Sequence, residues 1–177
     1  MTLAIIIPVN SPEDGKSRLK DVLPDADRIA LNWRLLTHTL NVAAALKRHA
    51  HIHVVSRSAA VLADAARRGV GAIRESDDCE GLNAALGLAT RAAAEGGATE
   101  AMVLPVDLPL LTPDSLYHAI ETFNEEIDVA IVTDMRGMGT NLLMWRPIGA
   151  ARFQYGPHSA GKHRRMAQAA GFRVRVR

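Results

Sequence analysis

Apolar and polar positions alternate along this chain in two periods, and the switches between them outline its elements. Residues 3–9 form a short apolar run that ends in proline, the mark of a strand buried on both faces. Residues 26–48 place Ile29, Trp33, Leu36, Leu40 and Ala44 at spacings of three and four, which predicts a long helix. A strand over 51–55 and a helix over 59–68 follow, the helix closed by Gly69. A short strand is expected at 71–73, an Ala-rich helix at 82–94 stopped by Gly96 and Gly97, and a buried strand at 101–106 running into Asp107. Thr112 and Pro113 read as the N-cap and first residue of the next helix. Strands are then expected at 127–133 and 141–145. Ser159 is expected to cap a basic helix over 160–170, and alternating Arg and Val at 173–177 suggest an edge strand.

Strands alternating with helices imply βαβ units with right-handed crossovers. The fold class expected is therefore a single α/β domain spanning 1–177, a three-layer α/β/α arrangement around a mainly parallel sheet. Ligands of such sheets bind beyond the carboxyl ends of the strands. The polar segments after the first strand, after the 101–106 strand and after the 127–133 strand should therefore converge on one edge.

Composition adds three constraints. At 177 residues with 48% hydrophobic content, the chain suits one domain with a real core, built mostly from aliphatics because aromatics are only 4%. A single cysteine excludes an internal disulfide and fits a reducing, cytoplasmic setting. No stretch approaches the roughly 20 apolar residues of a membrane span, and the N-terminus lacks the charged start of a signal peptide. The net charge of +2 hides an asymmetry: residues 1–134 carry all 19 acids and a net −7, while residues 135–177 carry no acid and +9. A basic quarter on an acidic body is either a solvated face or a site for an anion. No aromatics interleave with the charges as a nucleic-acid platform would require, so a small phosphorylated partner fits at least as well.

Five segments carry candidate chemistry. Pro8 to Leu19 holds Gly15, Lys16 and Arg18, a turn that offers amides and cations to phosphates; it is not a Walker A loop, because position 10 is Asn rather than Gly. Asp107, at the end of an apolar strand and flanked by Pro105 and Pro109, either binds a hard cation or caps the following turn. Leu82 and Asn83 open a helix, where Asn serves equally as base contact or cap. The 134–141 loop, with Gly137, Gly139 and Thr140, is either an anion cradle or a plain hairpin. Gly156 and Ser159 precede a helix N-terminus, a natural anion site. His49, His51 and His53 lack further ligands and are expected at the surface. Cys79, among acids, is a poor nucleophile.

In order, IIIPVN…GKSRL at 5–19, GLNAAL at 81–86, VLPVDLPLL at 103–111, TDMRGMGTNLL at 133–143 and FQYGPHSAGKHRR at 153–165 resemble the 2-phospho-L-lactate or phosphoenolpyruvate guanylyltransferase family, which serves synthesis of a deazaflavin coenzyme. The resemblance implies a nucleotide-diphospho-sugar-transferase-like fold and GMP transfer from GTP to a phosphorylated three-carbon acid with Mg²⁺. It implies Asp107 as metal ligand and Lys16 as its catalytic companion. Pro8, Gly15, Lys16, Arg18, Leu82 and Asn83 fall at the nucleotide, and Thr140, Gly156 and Ser159 at the acid; a homodimer is also implied. Two departures stand out. Asn10 replaces the family's usual Lys, and an Asp-x-Asp-Thr-Pro stretch bearing a second metal ligand is absent. Residues beyond Arg177, Asp134 or a water in its place, or weak catalysis are the alternatives. The rival functions are a molybdopterin or sugar-phosphate nucleotidyltransferase and a non-catalytic nucleotide-binding protein.

Overall fold

Ile5, Ile6 and Ile7 lie in succession with no exposed surface, so the strand they form must be covered on both faces. In the computed structural model, which describes residues 2–76, 78–123 and 126–177, this strand is β1 (Leu3–Pro8), with β2 (Ala50–Ser56) on one side and β4 (Glu100–Val103) on the other, both parallel to it. β3 (Gly71–Arg74) extends the sheet in parallel beyond β2. On the far side β6 (Thr140–Trp145) runs antiparallel between β4 and β5 (Val129–Thr133), and β7 (Val174–Val176) closes the edge parallel to β5. The strand order is β3-β2-β1-β4-β6-β5-β7.

Alternate residues of β1 feed two cores. Leu3, Ile5 and Ile7 pack with Leu36, Leu40 and Ala43 of α1 (Asp25–Ala44), Val61 and Ala65 of α2 (Ala59–Arg67), and Leu116 of α4 (Pro113–Glu121). Ala4 and Ile6 pack with Ala85, Leu86, Ala89 and Ala93 of α3 (Gly81–Glu95), Ala160 and Ala167 of α5 (Ser159–Ala169), and Trp145, whose ring meets Phe172 edge-on at 5.5 Å. The result is the expected three-layer α/β/α arrangement. Because β6 reverses direction and β5 reverses again, β5 ends on the same edge as β1, β2, β3 and β4, and the polar loops converge there as expected.

Several boundaries differ from the sequence pattern for identifiable reasons. The long helix ends at Ala44 rather than 48, because the amides of Leu46 and Lys47 turn to the carbonyls three residues back. β4 stops at Val103 rather than 106: the Leu104 amide still reaches Ile6, but Pro105 has no N–H to continue the ladder. Ser159 does not cap α5; His158, at φ 57°, holds that place, and the serine hydroxyl is used elsewhere. Thr112 does cap α4, in a reciprocal arrangement with Ser115. His51 is exposed on β2, as expected, while His53 is half buried, and desolvation together with the neighbouring His51 lowers its pKa. Among the described residues no helix is long and apolar enough to cross a membrane.

Leu143 on β6 has no exposed surface and joins the core beneath α3 and α5. Leu143→Ala is expected to cost about 2–5 kcal/mol of stability, measured as a lower urea midpoint with an unchanged m-value.

Candidate functional site

The carboxyl ends of β1, β2, β3 and β4 surround a cleft of about 420 Å³, bounded by the 8–16 loop, the 103–107 segment, the start of α3 and Tyr155. Its main feature is a tightly built loop. The amides of Asp14 and Gly15 both turn back to the carbonyl of Ser11, at 3.0 and 2.9 Å. Two α1 side chains hold that turn from below. The buried Arg28 guanidinium donates to the Gly15 carbonyl at 2.7 Å and to Asp25 at 2.8 Å, and Asn32 donates to the Pro12 carbonyl at 2.7 Å. A side chain at position 15 would bring its Cβ within 2.7 Å of the Asn32 amide nitrogen, so glycine is required for this packing. Lys16 then adopts a left-handed conformation, φ 52°, and extends its ammonium to Asp107 Oδ1 at 2.7 Å.

Asp107 follows β4 and is 68% exposed. Its carboxylate therefore faces the cleft mouth and not the apolar interior. Among the described residues no group of three or more His, Cys, Asp or Glu could encage a metal. A lone exposed carboxylate suits a Mg²⁺ ion whose remaining ligands come from nucleotide phosphates and water. Such an exposed carboxylate fits the ion, and Asp14 is the other aspartate among the described residues that line the cleft. Asp134 is not among the residues lining the cleft: its carboxylate accepts from the amides of Met138 at 2.8 Å and Arg136 at 3.2 Å, and these loop bonds hold its pKa low. It shapes the 134–139 hairpin loop.

Of the residues marked in the sequence, Pro8, Gly15, Lys16, Leu82 and Asp107 line the cleft. Arg18 does not: it sits exposed in the 3-10 turn Ser17–Leu19, beyond the point where Lys16 redirects the chain. Asn83 lies outside the lining as well. Its carboxamide clips the Tyr155 backbone, accepting from the amide at 2.8 Å and donating to the carbonyl at 3.3 Å. It thus fixes the 153–159 segment against α3.

Thr140 and Ser159 form a separate cluster with His163, next to Tyr155, and Gly156 follows Tyr155 in the chain with φ 128°. The Ala160 amide donates to the Met138 carbonyl at 3.1 Å, docking the hairpin loop on the start of α5. The Ser159 hydroxyl donates to Thr140 Oγ1 at 3.0 Å, and His163 Nδ1 lies 3.1 Å from the same oxygen. The Gln154 amide donates to His163 Nε2 at 2.8 Å, which places the imidazole proton on Nδ1, pointing at Thr140. His163 is fully buried, and desolvation pulls its pKa down to about 4. Tyr155 packs edge-on against this ring at 4.9 Å and lines the cleft on its other side, so the two clusters share one wall.

Sequence reasoning missed Arg57 and Glu75, which also line the cleft. The available signal was positional: each is the first residue after a parallel strand, β2 and β3. Arg28 and Asn32 carried no signal, since a polar residue on a helix face reads as solvated until the packing is known; His163 lay inside the marked 153–165 segment, but only as part of its basic run.

Comparison with known proteins defines the chain as a nucleotidyltransferase. The fold is similar to that of a protein from Desulfovibrio desulfuricans G20 proposed to be a nucleotide-diphospho-sugar transferase (TM-score 0.73, 18% identity, 99% of this chain and 79% of that one). It is also similar to a cytidylyltransferase from Leptospira borgpetersenii serovar Hardjo-bovis (TM-score 0.65, 16% identity, 100% and 76%). The chain belongs to the family described as Guanylyl transferase CofC like, whose model matches residues 3–177. It is 37% identical over 178 residues, covering 99% of this chain and 84% of the relative, to a phosphoenolpyruvate guanylyltransferase of Rubrobacter xylanophilus.

The buried neutral His163 makes stability depend on pH. Its folded pKa lies below the unfolded value, so its contribution is fully present above about pH 6.5 and is lost as pH falls towards 4. Urea midpoints across this window are expected to show a loss on the order of 3 kcal/mol, which His163→Asn removes from the profile.

Proposed function

We propose that this chain transfers a guanylyl group from GTP to a phosphorylated three-carbon acid, phosphoenolpyruvate or 2-phospholactate, and releases pyrophosphate, as a cytoplasmic step in deazaflavin coenzyme synthesis. The observation that carries the reading is the Lys16–Asp107 pair at 2.7 Å across the cleft mouth, one member on the amide-rich loop after β1 and the other at the end of β4. The Rubrobacter xylanophilus relative, named for phosphoenolpyruvate, supports the acceptor class.

In this reading the 8–16 loop receives the triphosphate. The loop amides not turned back to Ser11 or β2, together with the Lys16 ammonium, meet the phosphate oxygens, so Lys16 exchanges Asp107 for a nucleotide anion. Asp107, thereby released, would hold Mg²⁺, which neutralises charge on the phosphates and aligns them. A phosphate oxygen of the acid forms the new bond to the α-phosphorus. The bond from that phosphorus to the oxygen bridging it to the β-phosphate breaks, and pyrophosphate leaves with the electron pair. The attacking oxygen is already anionic, so no general base is required; catalysis comes from positioning and charge neutralisation.

The acid is placed at the junction of the hairpin loop with the N-terminus of α5, around Thr140, Gly156 and Ser159, where a helix terminus favours an anion. The hydroxyls of Thr140 and Ser159 are bonded to each other, and Thr140 also to His163. These bonds stiffen the seat, and because Thr140 Oγ1 accepts from both neighbours its own O–H is left to donate to the acid, beside Ser159 and the exposed backbone at Gly156.

The test is pyrophosphate release from GTP and Mg²⁺ with each acid. Product with one acid is expected; GTP binding without product from either acid overturns the acceptor assignment. Asp107→Ala is expected to lower kcat by about 10²–10³-fold or more, by analogy with removal of one preorganised charge-stabilising group, and Lys16→Ala to lower it by a similar factor. Full activity in either variant overturns the assignment of these two residues.

A further inference from the structure

The Lys16–Asp107 end of the cleft lies beyond β1 and β4. At the opposite end, beyond β2 and β3, stands a second charged pair. Arg57 Nε donates to Glu75 Oε2 at 3.0 Å; the glutamate side chain is 12% exposed and the arginine 56%. Arg57 Nη2 donates to the backbone carbonyl of Cys79, which fixes the guanidinium in the cleft wall. Among the described residues, no bond occupies Arg57 Nη1 or Glu75 Oε1. Both residues line the same cleft as Lys16 and Asp107. Strands in a sheet are about 4.8 Å apart, so the β3 and β4 ends are separated by roughly 14 Å, room for the base and ribose of a nucleotide whose phosphates sit on the 8–16 loop.

This pair is ill suited to phosphate. Its guanidinium is already neutralised, and the carboxylate beside it would repel a phosphate oxygen. It is well suited to a heterocycle edge that presents an acceptor next to donors. Guanine presents O6 as an acceptor, then N1–H and the 2-amino group as donors. Adenine presents a donor at position 6 and an acceptor at N1, and cytosine presents a donor followed by two acceptors.

The geometry points to Arg57 and Glu75 as the residues that read the base. The Arg57 guanidinium donates to O6, and the Glu75 carboxylate accepts from N1–H and the 2-amino group. The assignment rests on the guanylyl-transfer reading for the location of the phosphates, and it identifies the side chains that select guanine. A largely covered carboxylate left facing the N1 lone pair of adenine or N3 of cytosine lacks its donor, which is how such sites reject near-isosteric ligands.

The experiment is calorimetric titration of the full chain with GTP, ITP, ATP and CTP in Mg²⁺ without acceptor, for the wild type and Glu75→Gln. ITP lacks only the 2-amino group. Wild type is expected to bind GTP at least about tenfold tighter than ITP, the effect of one hydrogen bond to a charged group. Glutamine presents one acceptor and one donor to two guanine donors, so in E75Q the GTP and ITP affinities are expected to fall within about threefold of each other. Glu75→Asp, which keeps the charge, should retain a GTP preference above that of E75Q. A GTP-to-ITP ratio unchanged in E75Q, or all four nucleotides weakened in parallel, overturns the inference, as does a wild type that does not distinguish GTP from ITP. The outcome is separable from the acceptor reading. Base selection without pyrophosphate release leaves Arg57 and Glu75 standing and removes the acceptor; turnover with an unchanged ratio does the reverse.

Discussion

β1 has strands on both sides, β2 and β4, and all three run the same way. Ile6 lies between His53 and Val103, and Pro8 pairs with Val55, so the ends of three separate chain segments fall within a few residues of one another at one edge. The site depends on that register. Lys16 and Asp107 are 91 positions apart in the chain, yet their charged atoms sit 2.7 Å apart, because the loop after β1 and the segment after β4 start from neighbouring positions in the sheet. A residue slip in either pairing would reverse which faces of β1 are packed and would move the two charges apart.

Given that register, what remains is to stiffen the loops. Arg28 does this with two hydrogen bonds from a nearly fully buried guanidinium, one of them to the Gly15 carbonyl just before Lys16. Asn32 anchors the other end of the same turn. On the far wall, Asn83 holds the Tyr155 backbone, and Tyr155 in turn leans on His163, which fixes Thr140 and thereby Ser159. Few of these residues contact the interior of the cleft. They set where the cleft's walls stand, and a nucleotidyltransferase that works by placing charges needs those walls to move little on binding.

The chain also divides its charge by function. The cleft uses two ion pairs of opposite logic. Lys16–Asp107 is exposed on the carboxylate side, and in the proposed reaction it separates, because a triphosphate would offer the lysine a second anion. Arg57–Glu75 is held by a third contact to the Cys79 carbonyl and has a largely covered carboxylate, so it keeps its orientation. The basic excess of residues 135–177 contributes little to this cleft. Part of it secures the sheet edge, where Arg173 holds Asp128 through side-chain and amide bonds and draws that carboxyl down to about 2.

Much of the fold was legible in the residues alone. Apolar runs of strand length, helical spacing between them, and glycine and proline at the joints fixed the order of elements, and that order required a largely parallel sheet with its ligand at one edge. Pro8, Gly15, Lys16, Leu82 and Asp107 could be marked because they sit on segments whose chemistry is local. The tertiary structure alone decided what depends on distance across the fold. It turned Arg18 and Asn83 away from the cleft, gave Asp134 to its own loop, and brought Arg57 and Glu75 into the wall. The reason is that secondary structure follows from periodicities within about a dozen residues, whereas a side chain's direction is set by backbone turns such as the left-handed Lys16 and by partners that lie far away in sequence.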